Sequence, residues 1–331
     1  MSGEETTAEV KYLVLEDIPG IGPTTAKKLR ELGFNTVESL AVATVNEIEP
    51  AGIGEKKALE LINAARSSIS LSFVRADELM KKRESILRLT TGSEKLDELL
   101  GGGLETQTIT EFYGEYGSGK SQIAHQLCVN VQLPPEKGGL SGGALYIDTE
   151  NTFRTERIAQ MARPLGLDPE ETARNIILAE AYTSDHQMFL LENADRIIKD
   201  NNIRLIVVDS LTAHFRSEYL GRETLAPRQQ KINKHMHRLI RLARAFNAVA
   251  LVTNQVMSSP DVFFGESVRP IGGHIVAHTS HTRIFLRKAR HGPLRIARLV
   301  SSPYLPEGER VFKITENGVE DTEEEEEKRS R

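Results

Sequence analysis

The sequence predicts an α/β domain built on a mostly parallel sheet, preceded by a small all-helical module. Three observations carry this reading. From about residue 92 onward, short apolar runs of strand length alternate with helical periods, the pattern of a parallel sheet covered on both faces. Within that stretch, Gly114-Glu115-Tyr116-Gly117-Ser118-Gly119-Lys120-Ser121 fits the phosphate-binding pattern G-x-x-x-x-G-K-[ST] at every fixed position. The region before residue 65, in contrast, carries helical periods joined by glycine turns. A chain of 331 residues, 39% hydrophobic and 27% charged, has the length of about two domains and the composition of a globular protein. The longest apolar runs, such as 203–208, fall far short of the ~20 residues that a membrane-crossing helix needs. The acidic start Met-Ser-Gly-Glu-Glu lacks the basic region of a secretory leader. Cys128, the single cysteine, cannot make an internal disulfide or a cysteine zinc site, so a reducing cytoplasmic address is the expectation.

In chain order, the turn Ile18-Pro19-Gly20-Ile21-Gly22-Pro23 precedes a helix with Ala26, Leu29 and Leu32 on one face. A second copy has Val45, Ile48 and Ala51 before Gly52-Ile53-Gly54, then a stripe of Ala58, Leu59, Ile62 and Ala65. Residues 66–92 read as a polar linker with an alternating stretch at 70–75 and a charged helical segment at 77–89. The main domain, 93–319, is expected to hold strands at 108–113, 144–149, 176–181, 203–209 and 249–254. Short strands at 281–289, 294–300 and 310–314 then extend the sheet as antiparallel hairpins. Residues 320–331 read as an acidic disordered tail whose Glu323 to Glu327 run dominates a net charge of −5 and hides basic regions elsewhere. The division is therefore 1–65, 66–92, 93–319 and 320–331.

The loop from Gly114 to Ser121 lies between a strand and the helical run beginning at Gln122, which is the context its chemistry requires. Glycines let backbone N–H groups curl around phosphate oxygens, the helix adds its positive end, Lys120 balances β/γ-phosphate charge, and the Ser121 hydroxyl can ligate Mg²⁺. A plain glycine turn closing on a helix is the bland alternative, and the flanking elements argue against it. Parallel sheets bind ligands beyond the carboxyl ends of their strands. Three such residues have fitting chemistry: Asp209 to hold the Mg²⁺ shell, Glu150 as general base or water-positioner, and Gln255 as γ-phosphate sensor. A lone carboxylate at a strand end is more often a helix cap or a surface charge; convergence on the phosphate loop reverses that preference.

Basic charge is concentrated between residues 216 and 244, where eight Arg and Lys stand against Glu218 and Glu223. Arg216 and Arg222 are read on a loop leaving the strand that ends at Asp209, and with Arg228 they are expected to contact nucleic-acid phosphates. From Lys231 onward the basic residues are read as a solvated helix face. Residues 267–306 contain no acidic residue and seven Arg or Lys. Immediately after Gln255, residues 256–273 read as one long loop, with Phe263 and Phe264 near its middle and Gly272 and Gly273 at its end, expected to order over DNA when nucleotide is bound. The bland alternative has the two phenylalanines pinning a surface loop. The turns Gly20 to Gly22 and Gly52 to Gly54 resemble helix-hairpin-helix motifs, whose backbone amides meet duplex phosphates; such turns also serve as plain helix connectors. His274, His278 and His281 lack a metal-binding pattern and are assigned hydrogen-bonding roles, and Cys128 core packing.

Four segments in this order and spacing carry a resemblance: the phosphate loop; Asp148-Thr149-Glu150-Asn151-Thr152-Phe153-Arg154; the strand ending in Asp209-Ser210; and Thr253-Asn254-Gln255-Val256. The chain resembles the archaeal recombinases of the RecA family over essentially its whole length. The resemblance implies a RecA-like P-loop ATPase core with a helix-hairpin-helix N-terminal domain, ATP and Mg²⁺ as cofactors, and DNA-dependent ATP hydrolysis. It further implies a ring or helical filament on single-stranded DNA, pairing and strand exchange with double-stranded DNA, and recombination mediators as candidate partners. By the same resemblance, residues 216–223 and 256–273 line the DNA channel, Arg157 stacks on adenine, and residues 301–308 of a neighbouring subunit cap the nucleotide. Phe73-Val74-Arg75-Ala76 matches the family's F-x-x-A assembly signature, with Phe73 filling a neighbour's apolar pocket; a contact between unlike surfaces that does not close yields a filament. Thr155 stands where the family usually has proline, and Ser301 where an aspartate is common in the cap. Two competing readings are a filament-loading recombinase paralogue without strand exchange, and a ring-forming regulatory ATPase of the same superfamily.

Overall fold

A computed structural model of the chain describes residues 12–68, 76–221, 223–258, 268–290 and 292–323. The chain divides into two compact units, residues 1–84 with 191–197, and residues 85–190 with 198–331. In the first unit, helices α1 (Pro23–Glu31), α2 (Val37–Ala41), α3 (Val45–Ile48) and α4 (Glu55–Ser67) surround a core that includes Leu29, Leu40, Ile48, Leu61 and Ile62. The two glycine turns play equivalent parts: Gly22 caps α1, with Pro23 set at the first helical position, and Gly54 caps α4. Gly20, at φ +90°, holds a left-handed conformation that a side chain would strain. One stripe residue differs from expectation. Leu61 is buried, whereas Leu59 is 47% exposed, because successive helical residues rotate by about 100° and only positions 58, 61, 62 and 65 share the inner face. Helix α5 (Ala76–Arg83) starts at the second of the two assembly residues, Ala76; Phe73 lies outside the described residues.

The second unit opens with a two-stranded ribbon, β1 (Arg88–Leu89) against β2 (Leu104–Glu105), bracketing α6 (Glu94–Leu99). Its main sheet holds nine strands: β3 (Ile109–Gly114), β4 (Gly143–Asp148), β5 (Ile176–Glu180), β6 (Ile203–Asp209), β7 (Val249–Asn254), β10 (Thr282–Lys288), β11 (Leu294–Ser301), β12 (Gly308–Thr315) and β13 (Gly318–Asp321). A small ribbon of β8 (Val256–Ser258) and β9 (Val268–Pro270) stands apart from it. The order is β13-β12-β11-β10-β3-β7-β6-β4-β5, parallel from β10 to β5 and antiparallel from β10 to β13. Connecting helices are α7 (Lys120–Asn130), α8 (Thr155–Ala162), α9 (Pro169–Arg174), α10 (Ser184–Glu192), α11 (Ala194–Asp200), α12 (Ala213–Glu218), α13 (Leu225–Ala245) and α14 (Gly273–Thr279). Strands β3, β4, β6 and β7 are buried at nearly every position, as strands covered on both faces must be, which is why they read as continuous apolar runs. Among the described residues, no helix is long and apolar enough to cross a membrane.

Four local expectations are corrected. Arg216 lies within the short helix α12 rather than on a loop. The stretch 256–273 is not one loop: its described ends pair as the β8–β9 ribbon, and Gly273 begins α14. The sheet continues to Asp321, inside the expected tail, because this carboxylate accepts hydrogen bonds from Ser93 Oγ (2.5 Å) and the backbone amides of Glu94 (2.9 Å) and Lys95 (3.1 Å), capping α6. Arg238 is only 5% exposed and Lys231 pairs with Asp185 at 2.5 Å, so the basic residues after Lys231 do not form one solvated face.

Candidate nucleotide and nucleic-acid sites

The phosphate loop links β3 to α7, and the local sequence explains its path. Gly119 has φ +109°, and a side chain there would run into Ile314, so only glycine lets the loop turn directly into Lys120 at the start of the helix. The loop and the carboxyl ends of β4, β6 and β7 enclose a cavity of about 460 Å³. Of the expected residues, Tyr116, Gly117, Gly119, Lys120, Ser121 and Gln122 line it from the loop side. Glu150, Asp209 and Gln255 line it from the strand ends, brought together because β4, β6 and β7 are adjacent in the sheet. Gly114, Glu115 and Ser118 belong to the loop but are not among the residues that line the cavity. Lys120 Nζ donates to the Gly114 carbonyl at 3.0 Å and the Glu115 carbonyl at 2.9 Å.

Electrostatics follow from this enclosure. Burial holds the Lys120 ammonium below its ordinary pKa, against the opposing pull of Asp209 and Glu150. Glu150 Oε1 accepts from Gln255 Nε2 at 2.6 Å and from Ser210 Oγ at 2.9 Å, so two of the three candidate catalytic side chains, with Lys120 the third, are already in contact. Asp209 is held from both sides: Tyr146 OH on β4 donates to Oδ2 at 2.5 Å, and Thr253 Oγ1 on β7 donates to Oδ1. Burial beside the Asp209 carboxylate pushes the Tyr146 phenol well above its ordinary pKa, so it stays a donor. The hydroxyl of Ser121 and the carboxylate of Asp209 offer hard oxygen donors, a set that fits Mg²⁺ bound jointly with substrate phosphates.

Five lining residues are given no part in the nucleotide site by the sequence: His125 and Ile314, Thr152 and Ser210, which figure there only in the resembling segments, and Arg295, which figures only in a basic stretch. His125 lies on α7, stacks on Tyr146 at 5.5 Å between ring centroids and meets Phe153 edge-on at 5.2 Å; burial lowers its pKa. Arg295 and Ile314 arrive on β11 and β12, distant in sequence and without a local signal. Arg157 lies on α8 outside the lining. Its nitrogens donate to Gln122 Oε1 (2.7 Å), Gln160 Oε1 (2.9 Å) and the carbonyls of Thr315 (2.7 Å) and Glu316 (2.6 Å).

The candidate DNA residues are placed as follows. Arg216 is exposed on α12, Arg228 is half-buried on α13, and Gly272 caps α14 with φ +96°. Arg222 and Phe263 lie outside the described residues. His281 Nδ1 accepts the Ile109 amide at 3.2 Å, the hydrogen-bonding role assigned to it. Cys128, on the phosphate-loop helix α7, is buried in the core, as expected.

Comparison with known proteins bears on the whole chain. A model of the Rad51 family matches residues 82–322, and one described as a SAM-like helix-hairpin-helix tandem matches residues 12–67. The chain is 52% identical over 320 residues to the DNA repair and recombination protein RadA of Aeropyrum pernix, covering 96% of this chain and 99% of that protein. It is 51% identical over 326 residues to the protein of the same name from Ignicoccus hospitalis, covering 97% and 99%. Identity of this extent through both units does not favour the accessory-paralogue reading. The chain belongs to the Rad51 family, as a RadA-type recombinase with a role in homologous recombination and DNA repair.

Proposed function

We propose that the chain is a DNA-dependent ATPase that assembles on single-stranded DNA and exchanges strands with a homologous duplex while ATP is held in the 460 Å³ cavity. The observation that carries this reading is the 2.6 Å hydrogen bond between Gln255 and Glu150 at the mouth of the phosphate loop, with the β8–β9 ribbon leaving directly after Gln255. Backbone amides of the loop and the α7 amino end receive phosphate oxygens. Lys120 exchanges its carbonyl partners for β/γ-phosphate oxygens. Ser121 and Asp209 would hold Mg²⁺, which would supply charge neutralisation for the bound phosphates. Glu150, anchored through Oε1, presents Oε2 to orient a water in line with the γ-phosphorus. Gln255 loses or keeps its bond to Glu150 according to the state of that phosphate. Arg157 offers its guanidinium face to adenine, and Arg216, Arg222, Arg228, Phe263, Gly272 and Gly273 belong to the DNA-facing segments.

The amino-terminal turns at Gly20 and Gly22 contact duplex phosphates, and Phe73 and Ala76 join neighbouring subunits into the filament. The location is the cytoplasm. The test is ATP turnover with and without single-stranded DNA. Turnover rises with DNA in the wild type and falls by about 10²-fold or more in Lys120→Ala, since the loop cation stabilises the transferring phosphoryl group. Absence of DNA stimulation in the wild type refutes the reading. Closed rings alone, in electron micrographs with DNA and an ATP analogue, favour a regulatory ATPase instead.

A further inference from the structure

On β3, the strand that leads into the phosphate loop, and its neighbour β10 lies a buried ion pair that hydrolysis does not use. Glu111 on β3 is fully buried and Arg283 on β10 is 11% exposed; Arg283 Nε donates to Glu111 Oε2 at 2.6 Å, and the guanidinium lies 5.1 Å from the Tyr113 ring centroid. Burying two charges costs more than their attraction returns in many proteins, so stability alone does not account for such a pair. The other carboxylate oxygen, Glu111 Oε1, accepts from Asn254 Nδ2 at 2.9 Å. Because an ionised carboxylate only accepts, it fixes which end of the Asn254 carboxamide faces it.

Every remaining bond of that amide goes to the base of a candidate DNA segment. Asn254 Nδ2 also donates to the Ile271 carbonyl at 2.5 Å, where the chain returns from the β8–β9 ribbon. Asn254 Oδ1 accepts from Thr212 Oγ1 at 2.7 Å, one residue before α12 and Arg216. Ile271 is held a second time, its amide donating to the Gln255 carbonyl at 2.9 Å. Asn254, Thr212 and Glu111 are all buried, so water cannot replace these bonds and they stay directional. Gln255, next in the chain, carries the contact to Glu150.

We propose that Asn254 is a positioning residue that joins the nucleotide cavity to both DNA-facing segments, with the Glu111–Arg283 pair setting the orientation of its carboxamide. A change in Gln255 then moves the bases of both segments together, since one rigid amide holds them. This rests on the DNA-dependent ATPase reading, and the test separates the two. The affinity of the full chain for a fluorescein-labelled oligo-dT strand is measured by anisotropy with a non-hydrolysable ATP analogue and with ADP. The wild type binds more tightly with the analogue by about tenfold or more. In Asn254→Leu that ratio falls by about fivefold or more, and in Thr212→Val by a smaller factor, while analogue affinity and DNA-free turnover stay within about twofold. A merely structural role weakens both DNA affinities equally and leaves the ratio intact; a wild-type ratio in folded Asn254→Leu overturns the proposal. If Asn254→Leu fails to fold, an unchanged ratio in Thr212→Val overturns it instead. A ratio near one in the wild type overturns the ATPase reading and this proposal with it.

Discussion

Glu150 illustrates how much chemistry depends on a single oxygen. Its Oε1 is committed to Gln255 and Ser210, so the role proposed for it rests on the other oxygen. Glu150→Gln keeps the shape and loses the charge that orients water; turnover is expected to fall by about 10²-fold or more with nucleotide affinity little changed, read by steady-state turnover beside fluorescent-nucleotide titration. Tyr146→Phe removes the donor from Asp209 Oδ2 and leaves a buried carboxylate short of a partner. A loss of about 1.5–3 kcal/mol in denaturant unfolding is expected, with a higher Mg²⁺ requirement for turnover. Glu150, Asp209 and Gln255 are legible in the sequence because each stands at or within two residues of the end of a strand-length apolar run. Tyr146 and Thr253 lie inside such runs, where an inward hydroxyl is indistinguishable from core.

Helices and strands differ in what their sequences disclose. The periods of α1 and α4 and the apolar runs of β3 to β7 follow from the burial each element needs, and these positions agree with the structure within a residue or two. Errors arose where one rotation decides a face, as at Leu59, or where a partner far along the chain turns irregular sequence into structure, as for β8 and β9. Leu61→Ala is expected to destabilise the amino-terminal unit by about 2–4 kcal/mol, and Leu59→Ala by less than about 0.5 kcal/mol. Thermal unfolding followed by circular dichroism checks both, and equal effects would contradict the buried stripe.

His235, on α13, couples the main fold to pH. It is fully buried against Phe215, and burial pushes its imidazole down to about 4. Since the unfolded chain takes up this proton near pH 6.5 and the folded chain resists it, the stability that neutral His235 contributes is complete above about pH 6.5 and is lost as pH falls toward 4. The expected loss across that window is on the order of 3 kcal/mol, seen as a falling urea midpoint, and His235→Gln flattens that limb. Across the whole chain, period, composition and motif spacing were enough for the architecture, the phosphate loop and the three strand-end side chains, because those features repeat or punctuate locally. Arg295 and Ile314 in the cavity wall, the two hydroxyls on Asp209, the Asp321 cap and the Asn254 junction emerged from folding alone. Each is a contact between strands or turns far apart along the polypeptide, and no local pattern encodes which distant residue a sheet will bring alongside.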